Sequence, residues 1–290
     1  MTRRNSRRIN SEQEEIKQIK KPRQTSEDNP FGLSFVVATE VVELPSKGKY
    51  YDQESSLYGI SELEIKHMTA KEEDLLVNEN YIKKGTVLDK LLECLLVDKS
   101  IKITDLIADD KYALLTSARI TGYGPGYIFK AKCSSCSTEF DFDFDLQAML
   151  DADVVQELPE DVTETDEGIF EFQIETKDLT VGIRILTLEE INYMSQQAER
   201  RKELNISGSE TVDFLNMIVD HVGGYSDRAI LSKLFEVLPI KDVRRIRKIY
   251  KAVSPSLNQK QTRTCPSCSA PNEREVPFSL GWFWPDARVY

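Results

Sequence analysis

Two Cys-x-x-Cys pairs, Cys133 with Cys136 and Cys265 with Cys268, constrain this chain more than any other feature. Each pair has the spacing of a zinc knuckle, a tight turn that aims two thiolates at one metal ion. The pairs lie much further apart than in an ordinary zinc ribbon. The spacing therefore predicts a split site, with one structural zinc per chain joining the middle of the sequence to its end. Whatever lies between the pairs would be looped out from that closure.

The flanks favour this reading over its rivals. Tyr127-Ile128-Phe129-Lys130-Ala131-Lys132 enters the first pair and Thr138-Glu139-Phe140-Asp141-Phe142 leaves it, alternating apolar and polar as a half-buried hairpin does. Glu273-Arg274-Glu275-Val276-Pro277-Phe278 leaves the second. A redox Cys-x-x-Cys opens a helix, which lowers the thiol pKa, and strand-like flanks argue against that. The remaining alternative is a vestigial site without metal. Four thiolates on one zinc carry net negative charge, which Lys130, Lys132, Arg263 and Arg274 are placed to offset. The fifth cysteine, Cys94, lies in a leucine-rich run and reads as a buried apolar residue.

A chain of 290 residues with 40% hydrophobic content can build a real core, as one large domain or two small ones. No run is long and apolar enough to span a membrane, and no signal peptide is visible, so the expected setting is a reducing cytoplasm. The net charge of −11 argues against generic nucleic-acid binding. The charge is uneven. Residues 1–24 carry Arg3, Arg4, Arg7, Arg8, Lys17, Lys20, Lys21 and Arg23 against three glutamates. Residues 1–29 read as a disordered basic arm, alternatively one that orders on an acidic partner or on nucleic acid.

Order is expected from Pro30. Residues 33–42 read as a strand, 44–51 as a turn, and 63–68 as a second strand. Thr69 caps a helix with Glu72, Glu73 and Asp74 in its first turn. Thr86 starts another, with an apolar stripe of Leu88, Leu91, Leu92 and Leu95. A third runs from Ala108 to Ile120. Residues 157–167 are acidic and read as a linker or exposed loop. Residues 170–174 and 181–185 pair as a hairpin through Lys177 and Asp178. Helices follow from Thr187 to Leu204, then over 210–222, 227–238 and 241–253. The predicted class is α+β: small β elements with helices, a core of residues 30–156 and 256–290 closed by the split site, and residues 157–255 as a β-hairpin plus helical insertion.

Catalytic constellations are not visible. His67 ends a strand and His221 ends a helix, each reading as a surface or capping residue. Asp141, Asp143 and Asp145 share one solvated strand face. Lys241, Arg244, Arg245, Arg247, Lys248 and Lys251 form the basic face of a helix, solvated or docking an acidic partner. The apolar end, Trp282-Phe283-Trp284-Pro285, must pack on the core or insert into a partner; the expectation is that it packs near the first knuckle and leaves part of its aromatic surface for a partner.

Several segments taken together resemble a known family. They are Leu44-Pro45-Ser46-Lys47-Gly48-Lys49-Tyr50-Tyr51, Met68-Thr69-Ala70-Lys71-Glu72-Glu73-Asp74-Leu75-Leu76, Lys84-Gly85-Thr86 and Arg119-Ile120-Thr121-Gly122-Tyr123-Gly124. With the first Cys-x-x-Cys and the closing Phe283-Trp284-Pro285, they resemble the baseplate hub subunit and hub assembly proteins of T-even-type contractile-tailed bacteriophages. The resemblance covers most of the chain after Val41, without the basic arm or the acidic stretch. It implies a non-enzymatic protein of viral tail assembly that contacts other hub and tail proteins. Such a protein works in the host cytoplasm during assembly, and in the virion baseplate if retained. The rival reading is a zinc-ribbon nucleic-acid-binding regulator, against which net acidity and the lack of aromatic–basic interleaving count.

Overall fold

The computed structural model describes residues 37–154, 156, 158–204, 209–276, 278 and 280–284. The predicted basic arm and the start of the predicted first strand lie outside them. Strand β1 (Thr39–Glu43) runs antiparallel to β2 (Glu62–Lys66), with Thr39 opposite Lys66. Val42, Leu63 and Ile65 are buried and alternate with outward residues. The turn segment between the two strands is not a solvent loop. Leu44, Tyr50 and Tyr51 are buried. Gly48 has φ +71°, and an added Cβ would sit 2.3 Å from Ile60 N, so only glycine fits.

Thr69 and Glu72 form a capping box at helix α1 (Ala70–Leu76), where Glu72 Oε2 accepts the Thr69 N–H at 3.0 Å. Helix α2 (Glu79–Lys83) was not expected; Asn78 Oδ1 caps it from the N–H groups of Asn80 and Tyr81. Helix α3 (Val87–Leu95) buries Val87, Leu91, Leu92 and Leu95. Cys94 is exposed, contrary to expectation. At about 100° per residue it lies a quarter turn from the middle of that stripe. Helix α4 (Ala108–Tyr123) is buried almost all round, from Asp110 through Arg119. Small residues at 113, 117 and 118 admit close neighbours. A hairpin follows, β3 (Gly126–Lys132) and β4 (Glu139–Asp145), then α5 (Leu146–Leu150) capped by Asp145.

The next stretch differs most from expectation. The hairpin β6 (Phe170–Gln173) and β7 (Thr180–Ile183) is present, but it is the middle of a four-stranded antiparallel sheet. One edge is β5 (Val162–Glu164), inside the acidic stretch read as a loop. The other is β8 (Val219–Val222), inside a predicted helix. Helix α6 (Leu188–Glu203) precedes α7 (Glu210–Ile218), which stops where β-branched Val219 and Val222 turn inward and pair with β7. Residues 158–253 therefore hold a sheet with helices, where a hairpin with helices was expected. His221 is a strand residue, not a helix end; its Nδ1 lies 3.0 Å from Asp220 and its Nε2 3.3 Å from Glu171. Helices α8 (Arg228–Val237) and α9 (Ile240–Val253) precede a last hairpin, β9 (Lys260–Thr264) and β10 (Pro271–Glu275).

From Ala38 onward the described residues form one compact unit. Tyr50 packs its ring 5.6 Å from Phe170, and Gln156 joins the Tyr50 hydroxyl to Val253 O. Leu188 N–H donates to Leu106 O at 2.8 Å. The α+β class is as expected, built among the described residues on three two-stranded sheets and one of four strands. Among the described residues no helix is long and apolar enough to cross a membrane.

Candidate metal centre

Each Cys-x-x-Cys sits at the tip of a hairpin, the first between β3 and β4, the second between β9 and β10. The same turn is built twice. Cys133 N–H donates to Thr138 O and Ser137 N–H to Cys133 O, at 2.9 and 3.1 Å. Cys265 N–H donates to Ala270 O and Ser269 N–H to Cys265 O, both at 2.9 Å. Ser137 and Ser269 hold the equivalent left-handed position, with φ 59° and 58°.

The turns face each other and bring all four predicted cysteines together. Their Sγ atoms lie within 4.8 Å of one another. The Cys133–Cys268 and Cys136–Cys265 sulfurs are 3.7 Å apart, although Cys133 and Cys268 are 135 positions apart in sequence. All the cysteines are free. A tetrahedral zinc with Zn–S bonds of about 2.3 Å needs sulfurs about 3.8 Å apart, so the donor set fits that ion. Four thiolates leave no open coordination position. A metal held here would serve structure, not turnover.

Asn272, on β10, is the site residue that sequence reasoning missed. It is 1% exposed and spans both knuckles. Its Oδ1 accepts from Ser134 N–H at 2.9 Å and Ser134 Oγ–H at 3.2 Å. Its Nδ2 donates to Ala270 O at 2.9 Å and to Cys133 Sγ at 3.5 Å. No spacing rule singles it out, because its role exists only once the hairpins meet.

N–H groups also steer the thiols. The Cys136 and Ser135 amides and the Asn272 side chain lower the Cys133 pKa to about 6. The Thr138 hydroxyl and amide lower that of Cys136. At Cys268 the Ala270 N–H favours the thiolate, but the neighbouring cysteine sulfurs push the pKa up to about 12. One thiolate forms easily and the last is opposed by the others, the electrostatic state that a divalent cation relieves.

Three of the four basic residues expected to offset this charge, Lys130, Arg263 and Arg274, have other partners. Lys130 pairs with Asp141 at 2.6 Å, and Arg263 donates to Asp143 O at 2.9 Å. Arg274 donates to Lys132 O. Arg263 and Arg274 therefore tie the second hairpin to the first. Gln261 adds a two-point clip, with its Oε1 accepting the Asp145 N–H at 3.0 Å and its Nε2 donating to Asp145 O at 2.6 Å. On α9, Lys241 pairs with Glu175 and Arg245 with Asp161, so part of that basic face binds the sheet.

The aromatic end docks at the foot of the first hairpin, away from its cysteines. Trp282, Phe283 and Trp284 are all buried, so no aromatic face is held open for a partner. Phe278 stacks on Tyr112 of α4, and Phe283 meets Tyr123 edge-on. Arg119, 1% exposed, donates to Trp282 O at 3.2 Å and to Gly124 O and Gly126 O at 3.2 and 3.3 Å.

The matched region of the chain takes in both knuckles and most of this architecture: the model of the T4 bacteriophage base plate protein family fits residues 37–282. The chain belongs to that family. No curated protein and no solved structure matches it. Within this base plate protein the segments that signalled the family hold the core together. Ser46 and Tyr51 hold Asp110 at the start of α4, Gly48 lies against Ile60, Gly122 lies against Met68, and Arg119 fastens the aromatic end.

Proposed function

We propose that this base plate protein is a hub subunit or hub assembly factor of a contractile tail. It would work through contacts with other hub and tail proteins, in the host cytoplasm during assembly and in the baseplate when retained. The family match over residues 37–282 carries this reading. Quantitative mass spectrometry of purified particles and of tail intermediates tests it. Co-purification with hub proteins is expected, and absence from both fractions overturns it.

The second part of the proposal is that Cys133, Cys136, Cys265 and Cys268 bind one structural zinc per chain. The support is four sulfurs at tetrahedral spacing in twin knuckles. The zinc would close the core of residues 30–156 and 256–290, and residues 157–255 would be the insertion that the closure carries. One zinc per purified chain is expected, lost in Cys265→Ser; full metal content in that variant would refute the shared site. The basic arm would offer a contact to an acidic partner. Deleting residues 1–29 should then weaken assembly, more so at low salt, and leave melting unchanged.

A further inference from the structure

Among the described residues, strand β1 has a free edge. Leu44 N–H donates to Ser61 O and His67 N–H to Ala38 O, so Glu40 and Val42 make the ladder bonds to β2. The N–H and C=O groups of Thr39, Val41 and Glu43 point the other way, and among the described residues they meet no backbone partner. The outer edge of β2 is covered, with Val97 N–H donating to Glu64 O at 3.0 Å and Ile65 bridging to Leu96. A groove of about 560 Å³ runs beside the free edge, walled by the segment after α5 and floored by Ser117 and Ile120 of α4. Its charged residues are Glu40, Glu43, Asp151 and Asp153 against Lys47 alone. Among the described residues none of these carboxylates is ion-paired, and Glu40 Oε1 is buried without a hydrogen-bond partner.

From this we infer that the free edge of β1 takes an extended segment of a partner protein as an added strand, with Lys or Arg side chains set against the four carboxylates. Added backbone bonds satisfy the three outward residues, and the charges select the segment and its register. An edge left open in this way is otherwise a template for unwanted pairing. The inference rests on the base plate reading only for which protein supplies the segment.

The test places a photo-crosslinking residue at Val41, 59% exposed, in the full chain in cells assembling tails. A second copy of the experiment places it at Ile128, 62% exposed on β3. The expected result is an adduct from position 41, and none from 128, to a Lys- or Arg-bearing segment of another tail protein. Val41→Pro removes an outward N–H and leaves the β2 ladder whole, so it should melt normally and cut complex formation, read as the yield of tail protein pulled down with the chain, at least about tenfold. If that variant fails to fold, the pair Asp151→Lys and Asp153→Lys should give a loss in the same direction. An adduct to residues 1–36 or to a second copy of the chain overturns the inference. So does the absence of an adduct while the chain still co-purifies with tail proteins. Co-purification with no tail protein refutes the proposed hub role instead; a basic segment captured at position 41 would then still uphold the groove, and no capture would overturn both.

Discussion

Asp110, on the first turn of α4, accepts from the Ser46 amide at 2.9 Å, the Ser46 hydroxyl at 2.6 Å and the Tyr51 hydroxyl at 2.5 Å. Tyr51 in turn accepts the Ile107 N–H at 3.1 Å. Asp110→Ala strands these buried donors, and a loss of about 3 kcal/mol or more is expected in urea unfolding. Tyr51→Phe should lose about 1–2 kcal/mol. A loss under 0.5 kcal/mol (about the scatter of surface substitutions) in the first variant would show that the cluster does not hold the loop. Next to it, burial raises the Asp109 carboxyl to about 6, against a hydrogen bond from the Leu257 N–H that favours the anion. Between pH about 4 and 6 the folded chain holds a proton that the unfolded chain releases, so this group's contribution to stability falls as pH rises through that window. Asp109→Asn should flatten that slope relative to the wild type and stabilise the fold at pH 7.5 by about 1–2 kcal/mol. An unchanged slope would count against the raised carboxyl. Asn272 belongs to the same scale. On the zinc proposal, Asn272→Ala should weaken zinc affinity by about tenfold to a hundredfold in chelator competition, since Asn272 orients Cys133 and both turns.

The two knuckle hairpins and the four-stranded sheet were legible to different degrees, for a physical reason. Phe140, Phe142 and Phe144 alternate with acids along β4, so the strand announces itself. β5 (Val-Thr-Glu) and β8 (Val-Asp-His-Val) show no apolar–polar alternation, unlike Phe-Glu-Phe-Gln in β6, and each is a strand because β6 or β7 offers it an edge. Their register brings His221 over Gly182, where a Cβ would meet the imidazole at 2.2 Å. Gly182→Ala should therefore destabilise the sheet by about 1–3 kcal/mol, and His221→Ala should relieve most of that loss in the double variant. Additive losses would mean that the clash lies elsewhere.

At the scale of the whole molecule, the second hairpin is held to the first by Arg263, Gln261, Arg274 and Asn272 and, on our proposal, by zinc. Closure between residues 135 positions apart restricts a long loop in the unfolded chain, so metal removal should lower stability and not merely loosen a tip. Chelation, or Cys265→Ser, should lower the melting temperature and speed proteolytic cleavage within residues 256–284. An unchanged cleavage rate would mean that the polar clips suffice. Trp282→Ala empties a site 1% exposed against α4, and a loss of about 3–5 kcal/mol is expected whether or not zinc is bound.

The sequence by itself determined the local grammar of this protein: the capping boxes at Thr69 and Thr187, the apolar stripe of α3, the alternation of β4 and the twin Cys-x-x-Cys turns. These depend on residues a few positions apart, whose spacing is fixed by the chain. Tertiary structure decided the rest. It exposed Cys94, turned residues 219–222 into a strand, and buried the aromatic end completely against Arg119 and Tyr123. It also brought Cys133 to Cys268 and gave Asn272 a function. Each of those outcomes depends on which surface arrives from a distant part of the chain, and no local pattern encodes that arrival.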